Sequence, residues 1–232
     1  MRIAMWSGPR NLSTAMMYSF GARDDFHVMD EPFYGAYLIE TGLDHPMRDE
    51  ILAVHETDAR SVAEVCGVEL ADRPHLYMKH MAHHMLDGFP LGWAEGCVNV
   101  HLIRHPARVI ASYAAKREAP DLRDIGFEQQ TALFDRLGGI VVDSDDIRAD
   151  PEAMLRLLCD RIGLRFDAAM LCWPAGTRSA DGVWAAHWYG AVHQSTGFAG
   201  AEGPLPDLSG REAELSAEAL PYYEALWNRR LH

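Results

Sequence analysis

Five short apolar runs, separated by stretches of helical periodicity, constrain this chain more than any other feature. Residues 2–6, 26–29, 75–79, 98–103 and 139–142 are each apolar and bounded by turn residues or by a polar residue at the C-terminal end. That is the pattern of strands buried on both faces. Apolar residues recur at helical spacing over 13–20, 59–66, 106–116, 127–137, 151–162 and 217–227, which predicts helices. Alternation of this kind builds a mostly parallel central sheet flanked by helices, a three-layer α/β fold. Pro106 and Pro151 suit the first turn of a helix; Asp150 is a candidate cap and Gly163 a terminator, and Pro221 is expected to kink the last helix. At 232 residues, 1–232 reads as a single domain.

Composition narrows the function classes. Hydrophobic residues at 48% and charged residues at 24% exclude a disordered, collagen-like or coiled-coil chain. The formal net charge of −13 repels phosphate backbones, so no nucleic-acid partner is expected, whereas a small anion held by a few local groups remains compatible. Cys66, Cys97, Cys159 and Cys172 form no C-x-x-C pair and sit in apolar stretches, as reduced, buried thiols of a cytoplasmic protein do. Arg2-Ile3-Ala4-Met5-Trp6 enters the first strand at once, so no export signal is expected. No apolar run approaches the ~18 residues of a membrane span, and no membrane contact is expected.

The segment Trp6-Ser7-Gly8-Pro9-Arg10-Asn11-Leu12-Ser13-Thr14 lies between the first strand and the first helix, where backbone amides and the helix dipole hold phosphate. It departs from G-x-x-x-x-G-K-[ST], since Asn11 and Leu12 stand near the helix entry where a nucleotide triphosphate loop carries glycine and lysine. ATP or GTP hydrolysis is therefore disfavoured. Arg10 would supply the positive charge and Ser13 and Thr14 the hydroxyls; alternatively, Ser13 is an N-cap and Arg10 a solvated loop residue.

A second motif, Asn99-Val100-His101-Leu102-Ile103-Arg104-His105-Pro106-Ala107-Arg108-Val109-Ile110-Ala111-Ser112, is a strand ending in arginine and followed by a proline-started helix. Arg104 then faces the crevice beyond the strand ends. An arginine with a serine eight residues later resembles the element with which sulfotransferases bind the 3′-phosphate of 3′-phosphoadenosine 5′-phosphosulfate (PAPS). The loop from Gly8 through Pro9, Arg10, Asn11 and Leu12 to Thr14 is similar to a diverged form of that family's 5′-phosphosulfate loop. Val141-Val142-Asp143-Ser144-Asp145-Asp146-Ile147 with Asp150-Pro151-Glu152 resembles its late strand and acidic turn. The likeness covers about two thirds of the chain.

The resemblance implies a P-loop type fold and transfer of a sulfuryl group from PAPS to a hydroxyl or amine of a small-molecule acceptor. Adenosine 3′,5′-bisphosphate (PAP) would be the product, and no metal is required. It also implies that Lys79, at the end of the third strand, assists the leaving oxygen, and that Arg178, in Gly176-Thr177-Arg178-Ser179-Ala180-Asp181-Gly182, contacts phosphate. The family's histidine two positions after the lysine is here Met81, which leaves His80, His83, His84 or, at the end of the second strand, Glu31 as the base. The spacing of His80, His83 and His84 also admits a metal site. The stretch 177–208, with Trp184, His187, Trp188, Tyr189, His193 and Phe198, reads as an ordered functional loop, either an acceptor wall or an aromatic mini-core. A kinase-like phosphotransferase and a non-catalytic nucleotide-binding protein of the same fold are the competing readings.

Overall fold

The computed structural model describes residues 1–68, 73–114 and 120–232. In chain order its main elements are β1 (Arg2–Ser7), α1 (Ser13–Gly21), β2 (Phe26–Asp30), α2 (Tyr34–Thr41), α3 (Arg48–Val54), α4 (Ala59–Gly67), β3 (His75–Met81), β4 (Val98–Ile103), α5 (Pro106–Ala114), α6 (Leu122–Ile125), α7 (Phe127–Leu137), β5 (Ile140–Asp143), α8 (Ser144–Ala149), α9 (Pro151–Arg161), α10 (Ala185–Trp188), α11 (Gly190–His193) and α12 (Gly210–Trp227). The five strands form one parallel sheet in the order β2-β3-β1-β4-β5. From β1 the chain crosses to one side of the sheet, and from β3 it crosses back past β1 to β4. The loops after β1, β3 and β4 therefore open at the carboxyl edge where the winding reverses, the place where such sheets bind ligands.

Period-two alternation divides the sheet into two faces. Ile3, Met5, Tyr77, Val100, Leu102 and Val142 pack with α1, α2, α9 and the segment around Trp173 and Trp184. Ala4, Trp6, Leu76 and Met78 pack against Val62, Ala63 and Cys66 of α4 on the other face. Farther along that second face, Ile103 and Val141 meet α5, α7 and α12. These are the three layers expected from the sequence.

Every expected strand is present, with ends shifted by a residue or two. The helix expected over 106–116 is described as far as Ala114, and 115–116 lie outside the described residues. Asp150 caps α9 by accepting from the Ala153 amide at 3.0 Å, with Pro151 in the first turn. The last helix begins seven residues earlier than its expected start. Leu215, Ala219, Tyr223 and Leu226 continue one buried stripe through it, Pro221 lies within it, and Arg211 pairs with Glu218 at 2.9 Å on its exposed side. Between β2 and β3 the structure forms three helices where one was expected. The thiols are all free, but only Cys66 and Cys159 are buried; Cys97 is half-buried and Cys172 exposed, against the expectation of four buried thiols. Cys172 sits where the chain makes an isolated bridge to Gly197, in irregular structure and not in an apolar element. Among the described residues no helix is long and apolar enough to cross a membrane.

The register of β1 on β3 brings Trp6 beside His80. The two rings stack with centroids 4.6 Å apart, and Trp93 and Phe33 complete the nest. Burial lowers the imidazole pKa from 6.5 to about 3. An unfolded chain takes up this proton near pH 6.5 and the folded one only near 3, so stability is complete above pH 6.5 and falls as the pH drops. From pH 6.5 to 5 the loss from His80 is on the order of 1–2 kcal/mol. His80→Phe, which keeps the stack, is expected to lessen acid destabilisation by that amount in denaturant unfolding followed across this range. Equal pH slopes for the two proteins would show that His80 titrates normally.

Candidate active site

At the carboxyl edge a cavity of about 350 Å³ opens between the loop after β1, the ends of β2, β3 and β4, and the segment carrying α10 and α11. Pro9, Arg10, Asn11, Leu12, Ser13 and Thr14 line one wall together with Arg104, Ser112 and Tyr113. Glu31, Lys79, His83 and His84 line it at the ends of β2 and β3, and Tyr34, Trp188, Tyr189, Ala191 and Val192 supply an aromatic and aliphatic side.

The arginine-bearing wall is built on strained backbone. Gly8 packs so tightly that a Cβ there would stand 2.6 Å from the Ile125 carbonyl oxygen. Arg10 (φ 58°) and Leu12 (φ 60°) are both left-handed without being glycine, a cost that persists only where the surroundings enforce it. Leu12 occupies the cap position of α1 and has no side-chain oxygen to offer, so Ser13 is the first helical residue and not the cap. The first-turn residues Ser13, Thr14 and Ala15 face the cavity at the positive end of the helix,. Asn11 lines the wall, but its amide is committed to the fold: Nδ2 donates to the Leu102 carbonyl at 2.6 Å, an oxygen that also accepts from Gln130 at 2.9 Å.

Two arginines meet on this wall. Arg10 Nε donates to Ser112 Oγ at 3.1 Å, and Arg104 Nη1 donates to the Arg10 carbonyl at 2.7 Å. Burial, and then the neighbouring Arg104, lower the pKa of Arg10. Two cations held this close on a concave surface form a focus for an anion. The remaining edge of Arg104 faces Glu202, with Nε 3.1 Å from Oε2 and Nη2 paired with Oε1. Arg178 does not line this cavity: it lies 5.1 Å from the ring centroid of Tyr18 and donates to the Pro174 carbonyl.

At the ends of β2 and β3 lies a buried charge cluster set by strand register. Asp30 of β2 pairs with Lys79 of β3, and Lys79 Nζ donates to Asp30 at 3.0 Å, to Glu31 and to the Tyr189 hydroxyl. All three ammonium hydrogens are thus engaged. The Tyr189 hydroxyl also accepts from Trp184 Nε1 at 3.1 Å and donates to Asp30 at 2.7 Å. Burial opposes the charge on Lys79, but the two carboxylates outweigh it and raise its pKa. For Glu31 burial dominates and raises the pKa despite the pull of Lys79. Glu31 is left-handed as well, at φ 44°.

The histidines divide between the two faces of the sheet. His80, next to Lys79 on a strand, points the other way into its aromatic nest and does not reach the cavity,. His83 and His84 lie beyond the bulk of the strand and do line it. The His84 ring is stacked between Tyr34 and Tyr37, with centroids at 4.4 and 4.6 Å, and burial holds its pKa well below the ordinary value. Its Nδ1 is 3.9 Å from Glu31 Oε2. The three histidines therefore do not converge, and among the described residues no group of three or more His, Cys, Asp or Glu side chains is placed to hold a metal ion.

The aromatic stretch after residue 177 serves both readings of it. Trp184 is fully buried in the main core, while Trp188, Tyr189, Val192 and Ser195 form cavity wall. Sequence reasoning did not find Tyr34, His45, Tyr113 or Glu202. The first was signalled by the apolar spacing of Tyr34, Tyr37 and Leu38, which buries one side of α2; Glu202 was signalled only by being a charge among small residues.

A family model for the sulfotransferase domain matches residues 1–230. Two Arabidopsis thaliana proteins, branched-chain-amino-acid aminotransferase-like proteins 2 and 1, are 34% and 35% identical over 97% and 99% of this chain. The match occupies 41% and 42% of those proteins, so the chain spans about two fifths of the length of these curated relatives. Among solved structures, the sulfotransferase domain from the curacin biosynthetic pathway superposes with a TM-score of 0.55 at 16% identity, over 95% of this chain and 97% of that one. The sulfotransferase domain of the Synechococcus PCC 7002 olefin synthase gives 0.53 at 18%, over 96% and 95%. The sulfotransferase from Alicyclobacillus acidocaldarius gives 0.55 at 12%, over 99% and 96%. At these identities the structural matches speak for the fold, and the family match over nearly the whole chain speaks for descent: this chain belongs to the sulfotransferase domain family.

Proposed function

We propose that this sulfotransferase domain takes its sulfuryl group from PAPS and passes it to a hydroxyl or amine of a small molecule bound against the aromatic side of the cavity. The observation that carries the reading is the meeting of Arg10, Arg104, Ser112 and the uncapped start of α1 on one wall of a cavity that a buried carboxylate, Glu31, also lines. The first group suits the anionic donor and the second the acceptor's proton.

In this reading Glu31 takes the proton from the acceptor as its oxygen or nitrogen bonds to sulfur. The bond from sulfur to the donor's phosphate oxygen breaks, its electrons stay on that oxygen, and PAP leaves. Arg10 and the first-turn amides of α1 offset the charge that develops there. Burial gives Glu31 a raised proton affinity, as a base requires. Lys79 acts first as the counter-charge that keeps Glu31 ionised and fixed; to reach the leaving oxygen it has to release one of its three present acceptors.

Metal-free calorimetric titration is expected to show strong preference for PAP over 5′-AMP and ATP, and Arg104→Ala is expected to abolish that preference. Equal affinity for the three nucleotides would overturn the donor assignment. Glu31→Gln is expected to lower turnover by about 10²–10⁴ with PAP affinity nearly unchanged; full activity in this variant would transfer the base to His83. Lys79→Met strands two buried carboxylates and is expected to cost about 3–5 kcal/mol in denaturant unfolding. A cost below about 1 kcal/mol would mean that the carboxylates do not depend on the ammonium.

A further inference from the structure

Beyond the cavity wall residues Gly197 and Ala199 the chain runs across a group of arginines that the donor reading leaves only partly used. Glu202 lies among three of them. Arg104 grips both carboxylate oxygens, Arg148 Nη1 is 2.6 Å from Oε1, and Arg108 Nε is 3.5 Å from Oε2. The same arginines hold the backbone on either side, with Arg148 donating to the Gly200 carbonyl at 2.9 Å and Arg108 to that of Gly203 at 2.6 Å. Glu202 is 12% exposed, and the arginines 11–19%.

A guanidinium clasps an oxyanion through paired N–H groups. On Arg104 the Nε and Nη2 edge is on Glu202, and Nη1 is on the Arg10 carbonyl. Arg104 therefore cannot grip a phosphate with that edge while Glu202 is in place. Of the carboxylates at this cluster, Asp145 pairs with Arg108 at 3.3 Å and shares a side-chain hydrogen bond with Glu202 itself. With Glu202 removed, Arg104 and Arg148 lose their carboxylate partner while Arg108 keeps Asp145, an excess of about two positive charges, close to the charge of a phosphate monoester at neutral pH.

We propose that Glu202 is an internal occupant of the 3′-phosphate subsite, a latch that the donor must expel, and that Arg148 and Arg108 join Arg104 on the phosphate once it has gone. The inference rests on the donor reading above. Binding then carries the cost of opening the latch, so the observed affinity is the intrinsic one reduced by the fraction of molecules in which Glu202 is out.

Calorimetric titration of the whole chain with PAP and with 5′-AMP, for wild type, Glu202→Gln and Glu202→Ala, tests it, with thermal melts to establish that both variants fold. The expected result is PAP binding about tenfold tighter or more in both variants with 5′-AMP affinity unchanged. Hydrogen exchange at 200–204 is expected to rise in wild type when PAP is added. If folded variants bind PAP no tighter while the wild type still prefers PAP to 5′-AMP, Glu202 is a brace and the latch is overturned with the donor reading intact. If neither wild type nor variants prefer PAP, the donor reading falls and the latch with it.

Discussion

A lysine buried to the last percent of its surface makes the rest of this site possible. Lys79 stands on a central strand, and its charge is sustained there by Asp30 and Glu31 from the neighbouring strand end. Burying such a group is expensive unless every donor finds an acceptor, and the third donor finds one only because Tyr189 reaches in from a segment more than a hundred residues later. The cluster thus ties the α10–α11 segment to the sheet. Asp30 strengthens the tie by accepting from the Gly182 amide at 3.2 Å, and Asp181 adds a second by accepting from the Tyr18 hydroxyl of α1 at 2.8 Å. Without these contacts the aromatic side of the cavity would lose Trp188 and Tyr189.

The cavity therefore joins two kinds of group. Arginines and helix amides with no side-chain cap line it, and so do Glu31 and Lys79, the ammonium being shared with the Asp30 carboxylate behind them. Sulfuryl transfer from an anionic donor to a protic acceptor asks for this arrangement, since negative charge accumulates on the departing phosphate while a proton leaves the acceptor. Strand order explains how the two meet. β1 lies between β3 and β4, so the loop after it faces the Lys79 strand on one side and the Arg104 strand on the other.

What was legible in the sequence was local. The apolar runs gave the strands, and the spacing from Arg104 to Ser112 and the position of the Arg10 loop gave one wall of the cavity, because each lies within a single strand-loop-helix unit. Contacts that couple distant segments left little trace: Lys79 with Tyr189, and Arg104 with Glu202, are 110 and 98 residues apart. His80 is a different case. Adjacent residues on a strand cannot face one cavity, and β3 runs to Met81; the expected end at residue 79 left His80 free to turn inward, and the longer strand does not. Asn11 and Leu12, which depart from the usual phosphate loop, proved to be an anchor on β4 and a left-handed helix entry. The departure changes how the loop is held, and the start of the helix remains open to the cavity.

The proposed binding of an anion by an acidic chain poses no contradiction once distance is considered. The net charge of −13 is a sum over the whole chain, and salt screens exposed charges beyond about 8–10 Å. Within the cleft the balance is set by neighbours a few ångströms apart, and there Arg10 lies against Arg104 while Arg104, Arg108 and Arg148 surround a single glutamate. Such a cluster left open would collect any small anion. Filled by a carboxylate on its own tether, it yields only to a ligand that offers more charge and more oxygens at the same point while its remaining groups reach Arg10 and α1. Selectivity then comes from the exchange that binding requires as well as from the contacts that it makes.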